Sequence, residues 1–290
     1  MNYETLMPKN IKDIDGLAIL SGDGLLPVTL AKFAKRKKIK FVVVSFQESN
    51  KKLDQFNPIY CDISKPLTLI NLLRSLNINY LILAGSFPRL NIQGSNKIKG
   101  DAAFEGLIQE NYERGDDSLL RGAAKFFEGN GFHILGAHEL AEDILETDQK
   151  ILSIKKPSTY NIRDTEVASN IFKNFSNLDL GQSIIISSGL CFGLENASGT
   201  DAMIEGYINF LRSKSAHAGH KGGIFFKASK GNQDRRFDLP TIGTQTIKLV
   251  SKAKLDGIVV ESSNVIFIEK TKIIKLADSL GIFLWSRSNE

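Results

Sequence analysis

Cysteine is scarce in this chain of 290 residues: Cys61 and Cys191 are the two present, far apart in sequence. That excludes a disulfide framework, a thiolate metal site and a redox pair. It fits a reducing compartment in which both side chains serve as small buried apolar residues. No stretch approaches 18 uninterrupted apolar residues, so no segment is expected to span a membrane. The opening residues MNYETLMPKNIKDIDG lack the charged start and apolar run of a signal peptide, and the expectation is a cytoplasmic protein. Internal repeats and low-complexity tracts are missing too. Excess charge of one sign is small: 37 basic against 32 acidic residues leave +5, with a pI near 9.0. Such an excess suits a phosphorylated small molecule or an anionic lipid surface, and it suits a dedicated nucleic-acid binder least. Aromatic residues other than phenylalanine are few, 6 Tyr and 1 Trp against 18 Phe, which is a composition of core rather than of function.

What is present is ordinary globular material, 42% hydrophobic and 24% charged, in a chain long enough for two domains with a substantial core in each. The first half alternates short apolar runs with amphipathic stretches. Residues 16–20 lead into Ser21-Gly22-Asp23-Gly24, and Pro27 then stands in the first turn of a helix, where its missing N–H costs nothing. That helix closes at Lys35-Arg36-Lys37-Lys38, a basic cluster that suits the negative end of the helix dipole. Residues 41–45, with three consecutive valines, read as a strand of a buried parallel sheet. A helix over 66–76 and a strand over 80–84 complete a βαβαβ rhythm, the pattern of a doubly wound sheet. Helices over 101–111, 118–128 and 137–145 follow, with a strand over 132–135.

The polar stretch 146–163, broken by Pro157, marks a boundary. The expected organisation is a Rossmann-like α/β domain over 1–148, a linker over 149–162 and a second, mixed α/β domain over 163–290. In that second domain helices are expected over 164–175, 201–211, 241–253 and 271–280. Strands are expected over 183–187, 190–195, 223–227, 257–261, 265–268 and 282–285. The turn Ser262-Ser263-Asn264 reads as the tip of a hairpin.

Chemistry concentrates in a few loops. The strand–loop–helix unit around Gly22, Asp23 and Gly24 can aim backbone N–H groups at a phosphate. A dinucleotide site is disfavoured, because Pro27 replaces the third glycine of GxGxxG and Ser45-Phe46-Gln47 offers no ribose-binding acid. A looser phosphate loop and a plain tight turn both remain. Asp23 would need a cation beside a phosphate, or else it caps the helix. Gly85, Ser86 and Arg89 follow the third strand, so they share a crevice with the first loop, and Arg89 could grip a phosphate bidentately or stand as an exposed turn residue. Asp116 and Asp117 suit helix capping better than cation binding, and His133 and His138 lack a second metal-type ligand at helical spacing.

The densest cluster lies in the second half. Ser198-Gly199-Thr200-Asp201 opens a helix with hydroxyl, glycine and carboxylate, and Lys227 ends a strand. Asp234, Arg235, Arg236 and Asp238 then crowd in front of Leu239-Pro240-Thr241. Carboxylates beside arginines are what hydrolysis of a phosphate ester or anhydride requires. The acids hold Mg²⁺ and orient water, and the cations offset charge developing on phosphoryl oxygens.

Six segments in order, SGDGLLP, AGSFPR, GDDSLLR, GAHE, SGTDAM and KASKGNQDRRFDLPTIGTQTI, resemble the LpxI-type UDP-2,3-diacylglucosamine pyrophosphatases of lipid A biosynthesis. The likeness covers nearly the whole chain, and DLPTIG is its most specific piece. It implies a Mg²⁺-dependent hydrolase, dimeric, that splits UDP-2,3-diacylglucosamine into UMP and 2,3-diacylglucosamine 1-phosphate (lipid X), with substrate held between a Rossmann-like domain and a distinct α/β domain. The family's catalytic aspartate carries over to Asp238. The expected metal ligands are Asp201, Asp234 and Asp238. Substrate contacts are expected from Gly22, Asp23, Gly24, Gly85, Ser86, Arg89, Thr200, Lys227, Arg235 and Arg236. The chain departs from the family pattern at Asp23, where a glycine is expected, and at Ser188 and Ser198, where acids are expected; Glu195 and Asp201 remain. Coordination would then be completed by water or substrate oxygens. The basic balance suits peripheral contact with an anionic inner-membrane surface, and no nucleic acid is expected. A non-catalytic sugar-nucleotide or phospholipid binder is the alternative, disfavoured by carboxylates facing an anion.

Overall fold

The computed structural model describes residues 14–46, 50–87, 100–111, 116–175, 180–213, 222–231 and 233–288. Contacts divide the chain into two units, Met1–Glu142 with Asp234–Asp238, and Asp143–Gln233 with Leu239–Glu290.

In the first unit β1 (Leu17–Ser21), β2 (Phe41–Ser45), β3 (Ile59–Tyr60), β4 (Tyr80–Ala84) and β5 (His133–Ile134) form one parallel sheet in the order β3-β2-β1-β4-β5. β1 is buried at all five residues, which is why its sequence, LAILS, shows no polar alternation. The helices are α1 (Leu26–Arg36), α2 (Pro66–Ser75), α3 (Ala102–Asn111), α4 (Asp116–Gly129) and α5 (Ala137–Leu140). Pro27 and Pro66 sit in the first turns of α1 and α2, where a proline loses no ladder bond. Leu69 and Leu73 of α2 and Ala124 and Phe127 of α4 pack with Leu20, Val44, Leu81 and Leu83 in one core cluster. Each fully buried leucine or phenylalanine there is worth about 1.5–3 kcal/mol. Since β1 lies between β2 and β4, the winding reverses at β1 and β4, and the crevice of such a sheet opens at their carboxyl ends.

The second unit holds β6 (Lys150–Ile151), α6 (Thr159–Phe175), β7 (Ser183–Ser187), β8 (Leu190–Leu194), α7 (Gly199–Arg212), β9 (Ile224–Lys227), β10 (Thr241–Ile242), α8 (Thr244–Lys252), β11 (Gly257–Glu261), β12 (Ile266–Phe267), α9 (Lys270–Ser279) and β13 (Phe283–Arg287). Its main sheet runs β6-β13-β11-β9-β7-β8. β9, β11 and β13 are parallel, while β6, β7 and β8 add antiparallel pairings, so the sheet is mixed as expected.

Several local expectations are corrected. β11 and β12 are no hairpin: β11 already has β9 and β13 on its two sides, and β12 pairs in parallel with β10. The chain leaves the sheet through Ser263, which is at φ +63 and donates its N–H to the Glu146 carbonyl. The helix expected over 241–253 begins at Thr244, because Thr241 and Ile242 are spent on β10. The helix expected over 137–145 stops at Leu140 and gives way to a 3₁₀ turn at Glu142–Ile144. Cys61 is half-buried and Cys191 is exposed, the latter on β8 at the open edge of the sheet.

Candidate active site

Two loops meet at the carboxyl ends of β1 and β4. The Gly22 N–H donates to the Ala84 carbonyl at 2.9 Å, and Asp23 and Ser86 exchange both backbone bonds, at 2.7 and 3.0 Å. This zip exists because two residues lack a Cβ. At Gly22 one would stand 2.4 Å from the Ser86 carbonyl oxygen, and at Gly85, whose φ is +93, it would stand 2.3 Å from that of Asp23. The Gly24 N–H turns onto Asp23 Oδ1 at 2.7 Å. The backbone donors of Gly22, Asp23, Gly24 and Ser86 are thus spent inside the loops. What the lip presents outward is the exposed side chains of Asp23 and Ser86. Arg89 and Gly115 lie outside the described residues.

The zip yields a comparison of two glycines. Gly24 is also at positive φ (+101), but a Cβ there meets nothing within 4 Å. Gly24→Ala is expected to cost about 1–2 kcal/mol from backbone strain alone, and Gly85→Ala more than that, because strain and collision add. Thermal denaturation of the two variants tests the order. Equal losses would mean that the loops part easily and the zip is soft.

The segment 234–238 belongs to this same unit, although its flanks belong to the other. Asp234 closes it as a turn. Its carbonyl accepts from the N–H groups of Phe237 (3.3 Å) and Asp238 (3.1 Å), and its Oδ1 accepts from the Arg236 N–H at 3.0 Å. The Arg236 guanidinium then grips the same carboxylate, Nε to Oδ1 at 3.0 Å and Nη2 to Oδ2 at 2.7 Å, while Nη1 bonds Glu128 Oε1 of α4. Burial works to raise the Asp234 pKa, but its bonds and charge contact with Arg236, aided by the charge of Arg121, hold it below the usual value. Phe237 packs against the core cluster of the first unit, with Leu120 and Phe87 among the partly buried residues on that same cluster. Arg235 acts electrostatically on His138 at the start of α5. Burial pushes the His138 pKa down, Glu139 opposes and Arg235 adds to the lowering, so the ring is held toward its neutral form. His138 Nδ1 is buried with no hydrogen-bond partner among the described residues. The 234–238 segment is therefore bonded to α4 through Glu128, rests on the core cluster through Phe237 and acts electrostatically on the start of α5 through Arg235.

The second unit builds a separate ring around Lys227, which ends β9 and is 3% exposed. Its ammonium donates to Ser183 Oγ at 2.9 Å and Thr200 Oγ1 at 2.8 Å, and lies 3.6 Å from Glu195 Oε2. The Thr200 hydroxyl donates to Glu195 Oε1 at 2.9 Å, and the Gln182 N–H donates to Glu195 Oε2 at 3.2 Å. Two of the three N–H groups of the ammonium are taken by hydroxyls, and Glu195 supplies the counter-charge. Desolvation pushes the Lys227 pKa down against the pull of Glu195. Glu195 is itself desolvated, which raises its pKa, yet Lys227, Ser183, Thr200 and Gln182 together hold it below the usual range. Asp201, in the first turn of α7, goes the other way: desolvation, Glu205 and Glu195 push it up, with Lys227 opposing. Among the described residues no group of three or more His, Cys, Asp or Glu is placed to hold a metal ion. Ser188 stands at φ +53 with its N–H on Asp164, and Ser198 is the uncapping N-cap of α7.

Of the residues expected from sequence, Asp234, Arg235, Arg236 and Asp238 lie with Gly22, Asp23, Gly24, Gly85 and Ser86 in the first unit, and Thr200, Asp201 and Lys227 come together in the second. Glu128, Ser183 and Glu195 were not expected as partners. Nothing in the spacing singles out Glu128 near the end of α4. Ser183 and Lys227 are paired across β7 and β9, a register that only the folded sheet reveals.

Comparison with known proteins gives one consistent result. Residues 16–144 match the family model described as the LpxI N-terminal domain, and residues 148–285 match the LpxI C-terminal domain. A protein of Caulobacter vibrioides named UDP-2,3-diacylglucosamine pyrophosphatase LpxI is 29% identical over 270 residues, which is 92% of this chain and 96% of that protein. Among solved structures, the biotin carboxylase domain of the Hydrogenobacter thermophilus 2-oxoglutarate carboxylase overlaps 93% of this chain, which spans 59% of that one, at a TM-score of 0.27 and 11% identity, a likeness too slight to bear on the fold. Two domain models in the right order, together with the near full-length relative, show that the chain belongs to the LpxI family.

Proposed function

We propose that this chain is a hydrolase that cleaves the pyrophosphate of UDP-2,3-diacylglucosamine, releasing UMP and 2,3-diacylglucosamine 1-phosphate. The observation that supports it most is the holding of Asp238. The residue follows a turn closed by Asp234, on a segment whose neighbours Arg235 and Arg236 are cationic and whose Phe237 is packed in the core. A carboxylate on so fixed a backbone suits a group that must orient and activate water at phosphorus. Arg235, beside a His138 held toward neutrality, is the cation of this segment suited to offset phosphoryl charge.

Mg²⁺ is part of the proposal. Of the three acids expected to hold it, Asp234 is committed to Arg236, while Asp238 stands on the same turn. A small hard cation bound by one or two carboxylates and by phosphate oxygens of the substrate needs no dedicated protein cage. When bound it supplies charge neutralisation on the pyrophosphate. A homodimer and peripheral contact with an anionic membrane surface belong to the same reading. The net charge of +5 and the two acyl chains of the substrate support the membrane contact, and no helix among the described residues is long and apolar enough to cross a bilayer.

The test is phosphorus-detected turnover of UDP-2,3-diacylglucosamine by the pure protein, first with Mg²⁺ and then with a chelator. Release of UMP that stops on chelation is the expected outcome. Saturable binding without turnover under either condition would replace the hydrolase by a binding protein and direct attention to Ser188 and Ser198.

A further inference from the structure

Arg236 was expected to meet the substrate, and its surroundings say otherwise. A guanidinium offers five N–H donors in a planar fork. Here the Nε/Nη2 edge is taken by both oxygens of Asp234, and Nη1 by Glu128. Three of its five N–H groups are therefore already on carboxylates, which leaves the fork no free bidentate edge on the Nε side for a phosphate. The side chains of Arg236, Glu128 and Asp234 are 29%, 23% and 20% exposed, so this is a partly desolvated bidentate pairing and not a loose surface contact. The guanidinium also lies 5.9 Å from the ring centroid of Phe237, which is itself packed on the core.

These contacts converge on the residue that follows them. Asp234 closes the turn that ends in the Asp238 N–H, Arg236 fixes Asp234, and Glu128 fixes Arg236 to α4. We propose that Glu128 and Arg236 are positioning residues for Asp238: the Glu128–Arg236–Asp234 chain of bonds pins the 234–238 turn to α4 and so sets where the Asp238 carboxylate stands. This deepens the hydrolase reading and rests on it, since it assumes that Asp238 performs the chemistry. Glu128 is the informative member. It lies outside the 234–238 segment and anchors the arginine that grips the Asp234 carboxylate.

The experiment compares Glu128→Ala, Glu128→Gln, Arg236→Met and the Glu128→Ala/Arg236→Met double variant in the UDP-2,3-diacylglucosamine assay, with folded fraction checked by circular dichroism. Positioning predicts that kcat falls about 10- to 100-fold in Glu128→Ala while KM changes by less than about threefold, the range typical of residues that orient a reacting group. Glu128→Gln, which keeps an oxygen acceptor for Nη1, restores most of the loss. The double variant is no worse than the more damaged single one, because both remove the same latch. If Arg236 instead binds phosphate, Arg236→Met raises KM, and Glu128→Ala leaves kcat intact or lowers KM by removing a repelling charge; that pattern overturns the proposal. Loss of kcat in step with loss of folded protein in all variants, Glu128→Gln included, also overturns it in favour of a purely structural ion pair. Wild-type protein without turnover sinks the hydrolase reading and this inference with it, whereas an active wild type that needs Asp238 but ignores Glu128 sinks this inference alone.

Discussion

Asp238→Ala is expected to lower turnover of UDP-2,3-diacylglucosamine by about 10³-fold or more, equivalent to about 4 kcal/mol of transition-state stabilisation, while substrate still binds. The split follows from what the residue's backbone does. Its N–H is held by the Asp234 carbonyl, and the Arg236 bonds to Asp234 and Glu128 are made by other side chains. Truncation to alanine keeps those bonds and removes the carboxylate. A group that activates water or offsets charge only as the bond to phosphorus forms affects kcat far more than ground-state affinity. Asp238→Asn is the companion variant, because it keeps the shape and loses the charge. It is expected to be as inactive as Asp238→Ala if the charge does the work. Turnover within about tenfold of wild type in both variants would remove Asp238 from the chemistry. It would leave Arg235, His138 and the exposed Asp23 as the groups of the first unit to examine.

How much of this could be read in the sequence divides along a physical line. β1, β2 and β4 were legible because fully buried parallel strands write themselves as unbroken apolar runs, and α1 and α2 because a proline marks each first turn. The loops after β1 and β4 were legible as neighbours, since a doubly wound sheet brings those two ends together. Their mutual backbone pairing was not legible. A phosphate cradle and a zipped lip have the same glycines, and only the direction of the N–H groups separates them. Two-residue strands such as β10 and β12 carry too little pattern to reveal a partner, which is how a parallel pair of distant segments was mistaken for a hairpin. Asp234, Arg235, Arg236 and Asp238 stood out as a cluster of charge, but charge says nothing about which cation is already neutralised. Arg236 is engaged by Glu128 from more than a hundred positions earlier in the chain, and Lys227 by Ser183 across a strand register. Long-range pairing decides which charged residue faces substrate and which holds the scaffold, and that information appears only with the fold.

Lys227 shows the same division with an energetic consequence. Replacing it with methionine, of similar length and no charge, is expected to destabilise the second unit by about 2–4 kcal/mol at neutral pH, because Glu195, 12% exposed, is left as a largely desolvated carboxylate without its counter-charge. The pH dependence carries the signature. In the native protein Glu195 titrates below its unfolded value of 4.5, so its contribution is present above that value and is lost as pH falls through the lower, folded one. Without the ammonium the folded pKa moves up, because the largest lowering influence is gone while desolvation stays; the stabilisation from ionised Glu195 at neutral pH shrinks, and the difference fades as the carboxyl is protonated in acid. The gap between wild type and Lys227→Met is therefore widest near pH 7.5 and narrows toward pH 4.5, as urea denaturation at the two pH values would read. Adding Glu195→Gln to Lys227→Met should recover much of the loss at neutral pH, because the uncompensated charge is gone while acceptors for Thr200 and the Gln182 N–H remain. A gap that is the same at both pH values, or a double variant no more stable than the single one, would show that Lys227 is held by packing on Phe225 and the hydroxyls rather than by Glu195. If the lysine instead waits for substrate phosphate, Lys227→Met raises KM with little change in stability. The ring of Ser183, Thr200 and Glu195 argues for the scaffold, since two hydroxyls hold the ammonium and Glu195 neutralises its charge.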